Sequence, residues 1–368
     1  MRVAQLDIAN FKRFEKAQMS FVNGETEEIS DRLLVLGDNG MGKTTLLQAI
    51  ALPIALASGQ IQSLEQFDWN GFLPGRYSRW GRPRIELEVH FTEDEISATR
   101  EAADRWERSR SVEAKERAPF VMPGSSSVVR LVLDGDECRA ETAAELLQFR
   151  GRYYAYRLLR TDATARGLFK RLPGLFWFDQ FRNLGVPVAA PDQTNGDHHD
   201  ARGREGFDGR VDQFRRYLNG WRLAQQSRSR PYATDYLTEL ENLYKRVFPG
   251  RSFAGVEPMP GVDAVAPEDY YFLLNDGHRT YDIVEMSSGE QGVFPILYRF
   301  VQQQIANSVV LIDEVDLNLH PPAAQALVAQ LRPMAPTCQF ILTTHSAAVS
   351  STIGEANTRR LTGGALCL

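Results

Sequence analysis

The chain has 368 residues, 43% hydrophobic and 24% charged, which excludes wholesale disorder and allows a sizeable core without disulfides or metals. Its three cysteines, Cys138, Cys338 and Cys367, stand too far apart for a CxxC zinc site or a disulfide framework; this usage, with no apolar run of about 18 residues, fits a reducing, cytoplasmic setting without a membrane span. Against 42 basic residues stand 47 acidic ones, a formal net charge of −5, so nucleic-acid contact would need a local basic patch.

In chain order, residues 2–8 alternate as a half-buried strand, without the apolar region of a signal peptide. Residues 32–36 read as a buried strand ending at Gly37, and 43–57 as a helix with Leu46, Leu47, Ile50 and Ala51 on one face. Residues 84–91 alternate strictly as a strand. Residues 93–117 form a charged helix opened by Thr92. A strand at 128–133 turns at Asp134-Gly135, 143–171 is mostly helical, and 174–178 is a short buried strand. The Pro/Gly/Asp-rich stretch 186–206, with His198 and His199, reads as a loop, and 208–248 regains helical spacing. Residues 270–285 read as a hairpin around Asp276-Gly277. The apolar runs 308–312 and 338–342, with a helix near 322–332 between them, make a βαβ unit of a parallel sheet.

Gly37-Asp38-Asn39-Gly40-Met41-Gly42-Lys43-Thr44 matches G-x-x-x-x-G-K-[ST], placed after a strand and before a helix as that loop must be. The glycines let successive N–H groups turn towards phosphate oxygens, and the helix N-terminus adds its positive end. Lys43 then reaches the β- and γ-phosphates of ATP and the Thr44 hydroxyl ligates Mg²⁺. Gly37, Asn39, Gly40, Gly42 and Thr45 complete the nucleotide-binding set. Val309-Val310-Leu311-Ile312-Asp313-Glu314 is a buried strand delivering two carboxylates: Asp313 for Mg²⁺, and Glu314 to polarise a water in line with the γ-phosphate.

Met286-Ser287-Ser288-Gly289-Glu290-Gln291 resembles the signature motif of ATP-binding-cassette ATPases, and Thr343-Thr344-His345-Ser346 resembles their switch histidine. The run Asp313-Glu314 to Leu319-His320-Pro321, with the opening Ile8-Ala9-Asn10-Phe11-Lys12-Arg13-Phe14, is similar to the group holding RecF, the SMC proteins and the overcoming-lysogenisation-defect (OLD) ATPases. The resemblance covers residues 1–50 and about 270–350, with the motifs in family order. It implies an α/β P-loop fold of the ATP-binding-cassette type: a mixed sheet, N-terminal antiparallel strands, and a helical insertion between P-loop and signature. The expected division is a P-loop lobe at 1–91, an insertion at 92–268, and a lobe at 269–368 with signature, carboxylates and switch histidine.

The resemblance further implies a homodimer, open to higher assembly, with two ATP molecules clamped between heads. Ser287, Ser288 and Gly289 would contact the γ-phosphate on the partner's Lys43, and His345 the γ-phosphate in cis. Gln180, in Trp177-Phe178-Asp179-Gln180, matches the Q-loop glutamine that holds Mg²⁺ or the attacking water. Lys12 and Arg13 would lie against adenine or ribose, the alternative being a solvated basic turn. His320 reads as part of a structural turn.

No sustained heptads occupy the middle region, which argues against an SMC arm. Only 23 residues follow His345 (368 minus 345), so a Toprim nuclease domain is not expected. Residues 149–171 hold seven Lys or Arg against Asp162, with tyrosines interleaved, and 202–230 hold eight Arg against three acids. This is either a nucleic-acid face, a protein-docking face or a solvated surface. The favoured reading is an ATPase gating a separately encoded nuclease or toxin, resembling anti-phage defence ATPases. The alternative is a RecF-like DNA-repair clamp. A transporter ATPase fits poorly with the S-S-G-E-Q signature and the N-F-K-R opening.

Overall fold

The computed structural model describes residues 1–180, 207–226, 235–261, 266–362 and 365–366. The loop expected at 186–206 lies outside the described residues.

Strands run in chain order as β1 (Arg2–Phe11), β2 (Phe14–Ser20), β3 (Arg32–Leu36), β4 (Arg84–His90), β5 (Val128–Asp134), β6 (Glu137–Arg139), β7 (Gly174–Phe178), β8 (Ser252–Pro258), β9 (Tyr270–Asn275), β10 (Thr280–Asp282), β11 (Ser308–Ile312), β12 (Gln339–Thr344), β13 (Thr358–Thr362) and β14 (Ala365–Leu366). They form an antiparallel sheet ordered β2-β1-β4-β5-β6, a small sheet β10-β9-β8, and a six-stranded sheet β14-β13-β3-β12-β11-β7. In the last sheet β13, β3, β12, β11 and β7 are parallel.

The helices are α1 (Lys43–Ser58), α2 (Glu93–Ser109), α3 (Val112–Arg117), α4 (Ala143–Leu147), α5 (Gly151–Leu158), α6 (Phe207–Gln226), α7 (Tyr236–Val247), α8 (Ser288–Gln302), α9 (Pro321–Met334) and α10 (Ala347–Ile353). None is long and apolar enough to cross a membrane among the described residues.

The parallel sheet divides the core in two, because alternate side chains of a strand point to opposite faces. Leu33, Leu175, Val309, Leu311 and Ile341 join α1 and the antiparallel sheet in one core. Leu34, Phe176, Val310, Ile312 and Phe340 join α7, α8 and α9 in the other. Helix α1 therefore lies among both sheets and is buried on nearly every side, not on one face as its spacing suggested. A third cluster packs the alanine face of α2 (Ala98, Ala102, Ala103) on Tyr154, Leu158 and Phe169.

The single helix expected over 93–117 is broken. Arg110 is extended, its guanidinium bonds Glu107 at 2.6 Å and the carbonyl of Ala118 at 2.8 Å, and it stacks over Trp106. The stretch 143–171 is likewise divided, into α4, α5 and a 3₁₀ segment at Ala163–Lys170. Strands β5, β6 and β7 show that the stretch 92–268 supplies both main sheets as well as helices. The expected βαβ unit is present as β11-α9-β12. The hairpin at 270–282 gains an unexpected third strand, β8.

Candidate functional site

Strand β3 ends at Leu36, and the next six residues turn into α1. Gly40 and Gly42 have φ of 80° and 101°, a region costly for any residue with a Cβ. A Cβ at Gly42 would also come within 2.8 Å of the Phe14 ring. The loop thus passes beneath the β1–β2 hairpin, where Phe11 pairs with Phe14 and Lys12-Arg13 form the tip. Helix α1 starts at Lys43 with no side-chain cap, which leaves its N-terminal end suited to an anion.

Lys43 is buried, and its ammonium donates to the Gly37 carbonyl at 2.8 Å. It also lies 3.0 Å from His345 Nδ1 and 3.6 Å from Glu314 Oε1. On the other side of the ring, His345 Nε2 meets Glu314 Oε2 at 2.9 Å. A lysine can only donate, so Nδ1 accepts and Nε2–H donates to Glu314. Lys43, His345 and Glu314 therefore close on one another.

Asp313 is held at the end of β11 by its own N–H, which donates to the Phe178 carbonyl at 2.8 Å. Its Oδ1 accepts from the Thr343 hydroxyl and its Oδ2 from the Thr44 hydroxyl, both at 2.6 Å. The Thr343 hydroxyl also accepts the Glu314 N–H at 2.8 Å, so one β12 side chain positions both carboxylates. Glu314 sits at φ 48°, and burial raises its pKa above the ordinary carboxylate value despite Lys43 and His345. The Thr44 and Asp313 oxygens converge as hard donors, which fits Mg²⁺. Further along, the Thr344 hydroxyl bonds Asp316, and His320 precedes α9 without capping it.

A cavity of about 970 Å³ opens over the loop. Asn39, Gly40, Gly42, Lys43, Thr44, Thr45 and Glu314 line it, together with Lys12, Arg13 and Gln180. Lys12 Nζ bonds Gln48 and the Gly71 carbonyl, both at 2.7 Å, so it braces the hairpin tip against α1. Burial, with Arg13 beside it, lowers the Lys12 pKa. Asn10, Phe14 and Glu15 add to the hairpin side, and the facing wall comes from residues 71–80, including Arg76, Tyr77 and the exposed Trp80, which sequence reasoning missed. Only their aromatic density could have signalled them.

Ser287, Ser288 and Gly289 do not line this cavity. Ser287 caps α8, with its hydroxyl 2.6 Å from Glu290. Position 289 lies close on the turn after β11: a Cβ there would be 3.3 Å from the Asn318 carbonyl. The carboxylate of Glu290 is buried and accepts from Tyr281 at 2.7 Å and from Tyr244, with Arg251 at 3.3 Å. Burial alone would raise its pKa, but the bonds from Ser287, Tyr244 and Tyr281 together lower it. Glu290→Gln should therefore destabilise the chain by about 3 kcal/mol at neutral pH, as breaking a buried charged network does. A depressed carboxylate pKa stabilises above the unfolded value, and that contribution is lost as pH falls through the folded value. Urea titrations should show wild type and variant converging in acid; an equal gap at every pH would refute the role of the charge.

The arginines of 149–171 are largely engaged within the chain. Arg152 is buried, Arg166 bonds the Tyr236 hydroxyl at 2.7 Å, and Arg171 pairs with Glu101 at 2.8 Å. Arg157 packs over Tyr153, 5.2 Å from the ring centre. Part of the expected basic face is thus interior packing.

An antiparallel sheet folded over α1, with the loop before that helix facing the carboxylates after β11, is the arrangement of an ABC-type ATPase head. Fold comparison agrees: an SmcHead solved bound to the C-winged helix domain of ScpA superposes with a TM-score of 0.51 at 14% identity, covering 100% of this chain and 96% of that one. The chain belongs to the family described as "AAA domain, putative AbiEii toxin, Type IV TA system", which matches residues 118–351. That match holds the signature, both carboxylates and His345. The chain is also similar to the Retron Ec83 probable ATPase of Escherichia coli, 28% identical over 110 residues, covering 27% of this chain and 20% of the relative. With the Retron Vc95 probable ATPase of Vibrio cholerae it shares 51% identity over 45 residues, 12% of this chain and 9% of the relative. The aligned stretches span at most a fifth of these relatives.

Proposed function

We propose that the chain binds ATP with Mg²⁺, closes on a second copy of itself around two nucleotides, hydrolyses them slowly, and so gates a separate nuclease or toxin in anti-phage defence. The observation that carries this reading is the meeting of Lys43, Thr44, Asp313, Glu314 and His345 at the ends of β3, β11 and β12. Lys43 exchanges the Gly37 carbonyl and His345 for the β- and γ-phosphates. Glu314 takes a proton from the water that attacks the γ-phosphorus as its bond to the bridging oxygen breaks. Asp313 and Thr44, with Gln180, would hold Mg²⁺, which supplies charge neutralisation at the phosphates. Similarity to retron ATPases supports the defence setting. The DNA-repair clamp draws less support, because arginines of 149–171 are spent on internal contacts.

Dimer closure is tested by crosslinking. Chains carrying Ser287→Cys, mixed with chains carrying Asn39→Cys in the Glu314→Gln background, should crosslink with ATP and not without it. ATP binding without any such crosslink would sink the head-to-head arrangement. Gating is tested by ATP-dependent retention of an effector on the trapped chain in lysate of the native host.

A further inference from the structure

The cavity over the phosphate loop, at about 970 Å³, lies at the upper end of the range for small-ligand pockets. The loop glycines, Lys43 and Thr44 line it and suit the phosphates of a nucleotide. A nucleotide also carries a flat base, which calls for ring surface rather than charge.

Lys12 is poorly placed to serve the base. Two of its three ammonium hydrogens are committed, to Gln48 and to the Gly71 carbonyl, both at 2.7 Å. Trp80 is differently situated. It lines the cavity, is 68% exposed, and pairs with no other aromatic ring among the described residues. A tryptophan left this open forgoes most of the burial that ordinarily holds its ring in a fold. Arg79 stands over the indole, 5.7 Å from its centre, and the high exposure leaves the rest of the ring free.

The neighbours of Trp80 fix where it stands. Arg84 pairs with Ala9 in the antiparallel sheet, so the chain entering β4 runs beside the tip of the β1–β2 hairpin. At Gly81, with φ 124°, a Cβ would stand 3.2 Å from the Asn10 side-chain nitrogen, so the backbone is pressed against that side chain. Tyr77 anchors the same stretch through its hydroxyl, which donates to the Gly135 carbonyl at 2.7 Å. Gly42 of the phosphate loop lies under the Phe14 ring of the same hairpin. The phosphate loop and Trp80 therefore flank one hairpin tip and face one cavity.

We infer that Trp80 is the platform on which the base of bound ATP stacks, which makes the stretch before β4 the base-binding wall of the site. The inference rests on the ATP reading above. Every nucleobase has a π-face, so a single indole holds the base without hydrogen-bond readout.

The test compares Mg-ATP with Mg-tripolyphosphate, which keeps the phosphates and lacks base and ribose, by isothermal titration of the full chain. Trp80→Ala should weaken ATP binding about tenfold or more, the loss of one base–aromatic stack, and leave tripolyphosphate within about twofold. Trp80→Phe, with a smaller ring, should fall between. ATP should also quench tryptophan emission in the wild-type chain, tripolyphosphate should not, and Trp80→Phe should remove most of the quenching. Melting curves check that the substitutions leave the fold intact. Where tripolyphosphate binds too weakly to titrate, the quenching decides. Wild-type ATP affinity in Trp80→Ala overturns the inference and leaves the ATP reading standing; a ring kept for a protein partner would behave this way. Equal losses for both ligands overturn it too, since the ring would then act only through the shape of the cavity, and so does undiminished quenching in Trp80→Phe. A wild-type chain that binds neither ligand overturns the ATP reading itself, and the inference with it.

Discussion

Lys43→Ala should weaken ATP binding by about 100-fold or more, since it deletes a charge that makes several charge-assisted bonds to the phosphates. The same ammonium sits among the Gly37 carbonyl, His345 and Glu314. Its removal takes one positive charge from beside Glu314, which still faces His345 at 2.9 Å. The substitution could therefore shift the local geometry as well, and the melting curve must be compared alongside affinity. Isothermal titration with Mg-ATP reads the result. Wild-type affinity in a folded Lys43→Ala chain would falsify the phosphate-loop assignment.

Glu314→Gln separates binding from turnover. Glutamine keeps the side chain's size and hydrogen bonding but cannot take the proton of the attacking water, and loss of one positioned base costs about 10²–10⁴-fold in rate. The backbone at 314 should be unaffected, because the Thr343 hydroxyl holds its N–H rather than its side chain. ATP should thus bind and persist, read as bound nucleotide surviving gel filtration while phosphate release collapses. Unchanged steady-state phosphate release would remove Glu314 from the chemistry.

The parts of the site legible in the sequence are those in which backbone geometry restricts residue choice. A loop needing φ of 80° and 101° at Gly40 and Gly42 leaves a glycine pattern in the sequence, and a strand buried on both faces leaves an apolar run ending at Asp313. The wall at residues 71–80 left no comparable trace. It is built by tertiary packing of Phe67 and Trp69 on Trp177, and of Phe72 on Phe67 and Tyr77, without helical or strand periodicity. The break at Arg110 was hidden for a related reason: helical spacing continues past it, while contacts to Glu107, Trp106 and Ala118 stop the helix. Arg152 reads as surface by residue type, and only the carbonyls gathered around it make it interior.

The left-handed backbone at Glu314 sets comfort against competence. A side-chain-bearing residue at φ 48° carries a conformational cost on the order of 1–3 kcal/mol, tolerated because Thr343 clamps the Glu314 N–H and the following amide of Val315. Glycine or asparagine would sit there more easily. If Glu314 is the base proposed above, a residue that relaxes this backbone would gain stability and lose turnover together, so this one position sets the two in opposition.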